Sequence, residues 1–276
     1  MPTESLITLV CALPSEARPL LEHYRLAQVN EKPFRVFANA ELSLRLVVSG
    51  IGVEACATAV GFCAGLQTNR PSDIWVNIGV AGHRDLDIGS VALGARIQRD
   101  GASKNWYPGF LFDTHIPVSE VVSFNEPVQD YPAGTLCDME AAGFMAAASR
   151  VGNTDLIQVC KIVSDNASNS LANINREFVT RLVQQQIPAI ETLLSALRGC
   201  SEAAADFDDD TARSIASQWH FSQTQRLRLS RDLRRVATLD SEQRWTPAAL
   251  DKCRSGREVL SQLENEIARL SPQFAP

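Results

Sequence analysis

The sequence predicts an α/β fold in three layers, α/β/α, around a central mixed, mostly parallel sheet, with a helical extension at its C-terminal end. Three observations predict it. Short apolar runs recur at 6–13, 42–48, 74–78 and 156–163, and continuous runs of that length read as strands buried on both faces. Stretches with helical pattern, 14–23 and 53–66 among them, alternate with these runs. Acidic residues stand where such runs end, at Asp138, Glu140 and Asp165, and open α/β sheets hold ligands beyond the carboxyl ends of their strands.

At 276 residues and 45% hydrophobic, the chain suffices for one sizeable α/β domain and something smaller. The expected division is a main domain over 1–199 and a linker with a helical extension over 200–276. A net charge of −6 gives no global attraction to nucleic acid or to an anionic membrane, and a small neutral or cationic ligand fits better. The seven cysteines, Cys11, Cys56, Cys63, Cys137, Cys160, Cys200 and Cys253, are odd in number and form no CxxC pair. They read as reduced core residues of a cytoplasmic protein. No run approaches a membrane span, and 6–13 lacks the basic start of a signal peptide, so the expectation is a soluble, unexported chain.

In order, 6–13 is a strand that Pro14 ends. Ser15 is placed to cap a helix running to His23, with Glu16 in its first turn either as a partner of the helix dipole or as a functional acid. Residues 34–37 and 42–48 read as two strands joined by a turn around Asn39-Ala40. The second leads into Ser49-Gly50-Ile51-Gly52 and a small-residue helix over 53–66, a junction where backbone N–H groups can approach an oxygen-rich ligand. The strand 74–78 runs into Gly79-Val80-Ala81-Gly82, which reads either as a strand end where a flat ring lies against backbone or as a plain tight turn. Neither glycine loop matches GxGxxG or a P-loop, which disfavours a nicotinamide cofactor or ATP, and no cofactor or metal is expected. Strands follow at 91–97 and 116–122. Between them, 99–115 is aromatic and without period, and is expected to line or cover a site. Phe124, after the second strand, is either core or a ring that stacks on a planar ligand.

The densest stretch is Leu136-Cys137-Asp138-Met139-Glu140-Ala141-Ala142-Gly143-Phe144, where an apolar run gives way to a helix start. The run 156–163, broken only by Gln158 and Lys161, then delivers Asp165 and Asn166. The order of Ala12-Leu13-Pro14-Ser15-Glu16, Ser49-Gly50-Ile51-Gly52, Asn77-Ile78-Gly79-Val80-Ala81-Gly82, Met139-Glu140-Ala141-Ala142-Gly143 and Val163-Ser164-Asp165 resembles that of the superfamily of purine nucleoside phosphorylases and methylthioadenosine/S-adenosylhomocysteine nucleosidases. The resemblance covers roughly 5–198.

It implies a nucleoside substrate and cleavage of the N-ribosidic bond of a purine nucleoside or a 5′-modified relative. The glutamate matching Glu140, beside Met139, clamps the ribose hydroxyls. The aspartate matching Asp165 is the acid toward the purine nitrogen N7, and the glutamate matching Glu16 is, in the hydrolytic branch, the base that orients water. Ser49, Gly50, Gly52, Ala81, Gly82 and Phe124 complete the expected substrate contacts. Asn166 either bonds a purine edge or caps a helix beginning near Leu171. Such chemistry needs these residue types: the departing base takes electrons and must be protonated, while the ribose turns cationic and is stabilised by carboxylates.

Phosphorylases of the superfamily hold phosphate with arginines, commonly one near the first loop and one before the glycine-serine turn. Here Arg18 lies in the first helix and Val48-Ser49-Gly50 carries none, so water is preferred to phosphate as acceptor, with Arg45 and Arg84 left as alternative phosphate ligands. Phosphorolysis, or a catalytically silent nucleoside-binding or scaffold module, are the other readings. The segment 83–123 is shorter than the family pattern, where it supplies part of the base pocket and often of the dimer contact. A homodimer and the 5′ pocket are therefore left open.

Residues 175–197 read as one long helix kinked at Pro188, and 199–210 as a small, acidic linker. Beyond it, 211–236 and 247–270 predict two or three amphipathic helices, outside the resemblance. Arg226, Arg228, Arg231, Arg234 and Arg235 are offset by Asp208, Asp209, Asp210 and Asp232, so a solvated helix face is preferred to contact with nucleic acid. The extension is expected to pack on the domain or on a partner, with Trp219 and His220 as core or boundary residues.

Overall fold

The apolar run at the start of the chain becomes β1 (Ile7–Cys11), every residue of it buried, in a computed structural model that describes residues 5–66, 70–169, 174–205, 209–240 and 244–271. Helix α1 (Pro14–His23) follows at once. Its cap is not Ser15. Pro14 takes the first helical position, where a missing N–H costs nothing, which leaves Leu13 as the N-cap and buries Ser15 inside the first turn. The side chain of Glu16 folds back over the helix start and accepts from the N–H groups of Ala12 and Leu13. The expected strand pair is present as β3 (Arg35–Asn39) and β4 (Leu44–Val48), preceded by an unforeseen edge strand, β2 (Ala27–Asn30), with most of its residues exposed. Helix α2 (Val53–Gly65) comes next.

Strand β5 (Ile74–His83) is longer than the sequence suggests, because Gly79-Val80-Ala81-Gly82 does not turn. It pairs in parallel with β10 (Ile157–Asp165), setting Lys161 beside Gly79 and Asp165 beside Gly82. Between them come β6 (Val91–Arg99), the short β7 (Asn105–Trp106), β8 (Val118–Ser123), β9 (Thr135–Asp138) and helix α3 (Ala141–Val151). The sheet is mixed. β1 pairs in parallel with β4 and β5, and β8 with β6 and β9, while β10–β6, β5–β9, β3–β4 and β2–β3 are antiparallel. Because β10 pairs with both β6 and β5, the strands β10, β6, β8, β9 and β5 close on themselves. That closure brings the ends of β5, β9 and β10 together.

Helices cover this sheet in two pairs. α2 packs on α3, and their small residues share a core with Val10, Val47, Trp75 and Val159. α1 packs on α4 (Arg176–Gln185). The long helix expected after 175 is two helices, with α5 (Ile187–Ala205) beginning one residue beyond the end cap Gln186. Pro188 therefore stands in the first turn of a new helix instead of kinking an old one.

The chain divides into two units within α5: residues 1–109 with 114–197 form one, and Phe110–Asp113 with the rest of the chain from Arg198 form the other. The expected linker at 199–210 is helical through Ala205, and α6 (Asp209–Gln218) starts soon after; residues 206–208 lie outside the described ones. In the second unit α7 (Gln223–Leu239) and α8 (Gly256–Leu270), capped by Ser222 and Ser255, bury Leu229, Leu233, Val259, Leu260 and Leu263 with Ile215 and Phe221. Leu227, on the outer face of α7, is exposed. Arg228 and Arg231 pair with the buried Asp232 while their own side chains stay partly open to solvent, on the solvated helix face expected of the arginine stripe. The indole of Trp219 donates to the Cys253 carbonyl at 3.1 Å, as a boundary residue would. Among the described residues no helix is long and apolar enough to cross a membrane.

α2 and α3 approach too closely for any side chain at Gly143, where a Cβ would lie 1.9 Å from the Val53 carbonyl oxygen, whereas a Cβ on Gly199 meets nothing within 4 Å. Gly143→Ala is expected to lower stability by about 1–3 kcal/mol. Gly199→Ala, on the exposed side of α5, is expected to raise it by about 0.5–1 kcal/mol. Urea denaturation of the two variants against the parent checks both.

Candidate active site

The closed strands leave a cavity of about 180 Å³ beyond the carboxyl ends of β1, β5, β9 and β10. Glu16, Asp138, Glu140 and Asp165 all line it, together with Met139, Ala81, Gly82, Phe124, Tyr131, Ile51, Glu126 and Val179. These four acids come from three separate stretches of the chain and meet there because each sits at, or a few residues past, the end of a strand.

Glu16 is 3% exposed. Its Oε2 accepts from the backbone N–H groups of Ala12 at 2.9 Å and Leu13 at 2.8 Å, and its Oε1 accepts from Val80 N–H at 2.9 Å. Gly79 makes this approach feasible, since a Cβ there would stand 2.8 Å from Oε1. Burial raises the Glu16 pKa, opposed by the charge of Lys161 and by those three donors. A carboxylate offers about four acceptor sites. Three are taken, and one remains.

Asp138 and Glu140 flank Met139 but do different work. Asp138 Oδ2 bonds the ammonium of Lys161 at 2.8 Å and accepts from Ala141 N–H at 2.8 Å, while Oδ1 accepts from the Ser123 hydroxyl at 2.5 Å. Both charged groups are almost wholly buried. Asp138 thus ties β8, β10 and the start of α3 together, and its own backbone carbonyl accepts from Phe124 N–H at 2.7 Å, which fixes where the ring of Phe124 begins. Glu140 Oε1 accepts from Gly52 N–H at 2.9 Å. Gly50 and Gly52 have φ of +81° and +106°, conformations that glycine adopts without strain, so the loop can aim that N–H at Glu140. Desolvation pushes the Glu140 pKa up to about 7, with Lys161 pulling it down and Asp138 adding to the rise. For Lys161, burial works against the ammonium, but Asp138, Glu140 and Glu16 outweigh it and hold its pKa above the ordinary value.

Asp165 ends β10, 3% exposed. Its Oδ1 accepts from the Ser164 hydroxyl at 2.5 Å and its Oδ2 from the hydroxyl of Tyr131. Burial, and then the hydrogen bond to Asp165, keep the Tyr131 hydroxyl protonated well above the usual tyrosine range.

Other expected contacts lie elsewhere. Ser49 is turned to backbone, its hydroxyl donating to the Gly50 carbonyl at 2.8 Å, and Gly50 and Gly52 reach the cavity only through Ile51 and through Glu140. Asn166 is spent on its own turn: its amide donates to the Leu86 carbonyl, and its oxygen accepts from Ser168 and Asn169 N–H. It does not line the cavity, and the helix that follows is capped by Asn175. Leu171, where that helix is expected to begin, lies outside the described residues. The 99–115 segment contributes nothing to the lining; β7 pairs with β6, and Trp106 packs on the core under α2 and α3. Arg18 pairs with Glu22 on the surface, and Arg45, inside the sheet, donates to Thr8 at 2.9 Å over the ring of Trp75. Arg84 is exposed. Among the described residues no lysine or arginine lines the cavity, and no group of three or more His, Cys, Asp or Glu could hold a metal ion.

Tyr131 in the cavity and Lys161 behind its carboxylates are among the residues that the sequence did not announce as functional. Lys161 carries a signal, a charge inside an otherwise apolar strand, which must find a partner if buried. Tyr131 carries none, since it lies in an irregular polar stretch between β8 and β9.

No family model matches the chain, and no curated protein matches it. Solved structures do. The chain is similar to 5′-methylthioadenosine nucleosidase from Arabidopsis thaliana, with 15% identity and a TM-score of 0.57 over 70% of this chain and 96% of that one. It is similar to 5′-methylthioadenosine/S-adenosylhomocysteine nucleosidase from S. pneumoniae, with 19% identity and a TM-score of 0.53 over 70% and 98%. It is similar also to futalosine hydrolase of Helicobacter pylori, with 14% identity and a TM-score of 0.56 over 69% and 99%. At such identities the likeness concerns the fold: this chain has the nucleoside phosphorylase-like fold, with further helices outside it.

The buried charges set two expected outcomes. Lys161→Met strands the Asp138 carboxylate without its cation and is expected to cost about 3–5 kcal/mol in urea denaturation at neutral pH, with Asp138→Asn added to it restoring part of the loss. Glu140 has a folded pKa, about 7, above its ordinary 4.5, so between those values the native state binds the proton that the unfolded state has lost. Stability from this group is complete below the lower value and is lost as pH rises toward the upper one. Denaturation series across that interval are expected to fall less steeply in Glu140→Gln than in the parent.

Proposed function

We propose that this cavity cleaves the N-ribosidic bond of a purine nucleoside or a 5′-modified nucleoside, with water as the acceptor. One observation carries the reading: Glu16, Glu140 and Asp165 share a single cavity with Met139 and Phe124, and no cation lines it among the described residues. The similar structures whose names include nucleosidase or hydrolase make the same reading natural for the fold.

The geometry supports the following roles. Glu140 has one oxygen anchored by Gly52 N–H and the other available to two ribose hydroxyls, where a carboxylate also favours the cationic sugar of the transition state. Asp165, entering the reaction in its protonated form, gives that proton to the departing ring nitrogen, which takes the electron pair of the breaking C–N bond. Glu16, with one acceptor site left, orients a water molecule toward the anomeric carbon and takes its proton as the new C–O bond forms. Phosphate, an anion, would enter a cavity lined by five acidic residues and, among the described residues, no lysine or arginine, which disfavours phosphorolysis.

Release of free base from a panel of purine nucleosides and 5′-thio derivatives, with and without phosphate, tests the proposal. Turnover is expected without phosphate, and Asp165→Asn, Glu140→Gln and Glu16→Gln are each expected to reduce kcat/KM by about 10²–10⁴-fold. Base release that strictly requires phosphate overturns the choice of water. Turnover untouched in both Asp165→Asn and Glu140→Gln overturns the assignment of roles.

A further inference from the structure

Tyr131 occupies ground that a ligand needs. It is 6% exposed although it belongs to an irregular segment, and it lines the cavity, as Phe124 does. Its ring presses on the backbone of β5 at Gly82: a Cβ on that glycine would stand 2.4 Å from one ring carbon of Tyr131 and 2.7 Å from Oδ2 of Asp165. Its hydroxyl donates to that same Oδ2. A planar aromatic ring thus lies against bare backbone with its polar end on a buried acid, the same acid that the proposed reaction sets against the leaving base.

We infer that Tyr131 is a specificity-determining residue that holds the base subsite in competition with the ligand, so that only a planar heterocycle able to replace its hydrogen bond to Asp165 gains the site. The inference rests on the reading of this cavity as a nucleoside site. The rest of the subsite agrees with it. Asp165 Oδ1 is engaged by Ser164, so Oδ2 is the oxygen for which base and tyrosine compete. Glycine at 82 is what lets either ring reach the strand, and a side chain there would bar both. Glu126, Pro127 and Val128, on the same segment as Tyr131, line the cavity too, so a shift of that segment moves its wall with the tyrosine.

The test uses the full chain and two free bases, adenine and hypoxanthine, titrated by calorimetry into the parent, Tyr131→Phe and Tyr131→Ala. Phenylalanine keeps the ring over Gly82 and deletes only the competing hydrogen bond, so at least one base is expected to bind Tyr131→Phe about tenfold more tightly than the parent. Thermal unfolding of each variant identifies loss of fold, and the near-isosteric phenylalanine keeps the test decisive if the alanine variant is unstable. Affinity that is equal or weaker in Tyr131→Phe overturns the inference and makes the tyrosine a structural prop or a proton relay; the relay would show as a collapse of kcat without a change in base affinity. Absence of base binding in every folded variant overturns it as well. If no nucleoside is cleaved but base affinity rises in Tyr131→Phe, the proposed reaction fails and this inference stands; if a nucleoside is cleaved and base affinity is unchanged, the reaction stands and this inference fails.

Discussion

A single buried ammonium organises the acids of this protein. Lys161 sits in the middle of β10, 1% exposed, where an unpaired charge would be prohibitive, and it is bonded to Asp138 at 2.8 Å with Glu16 and Glu140 close enough to act on it. The effect is mutual. Burial drives the carboxyl groups of Glu16 and Glu140 toward their neutral forms, and the nearby cation opposes it in both. Without that positive charge, three carboxyl groups would crowd a region of low dielectric, and like charges so placed cannot all remain ionised.

The cation has room because a side chain is absent across the strand pair. Lys161 lies beside Gly79 in the β5–β10 register, and a Cβ on Gly79 would fall 2.8 Å from Glu16 Oε1 and 3.5 Å from the lysine Nζ. Gly82, the next glycine of β5, does the same for Asp165 and Tyr131. In the sequence these glycines read as a strand end or a turn. They are no turn: the strand continues through them to His83, and their bare backbone lets buried polar groups and the ring of Tyr131 crowd against it.

Much of the framework is legible from local pattern. The apolar runs at 6–13 and 156–163 are β1 and β10, the small-residue stretch after Gly52 is α2, and the helices of the C-terminal extension lie near their expected places. Patterns that depend on the neighbourhood mislead. Pro188 reads as a kink until one knows that a helix ends at Gln185, and the small acidic residues after Gly199 read as a linker although α5 continues through Ala205. The aromatic segment at 99–115 looks like a lid because nothing in its spacing announces that Trp106 packs on a core.

The sequence alone determined most of the buried strands and helices, and that Glu16, Glu140 and Asp165 would stand at or just beyond strand ends, because apolar period and strand-ending residues act over a few covalent neighbours. Only the tertiary structure decided that Asp138, not Glu140, takes the lysine, that Asn166 is consumed by its own turn, and that Tyr131 reaches Asp165. Those choices turn on ångström differences set by register between strands remote in sequence. Hydrogen bonds and buried ion pairs lose their strength within such distances, whereas hydrophobic burial tolerates them.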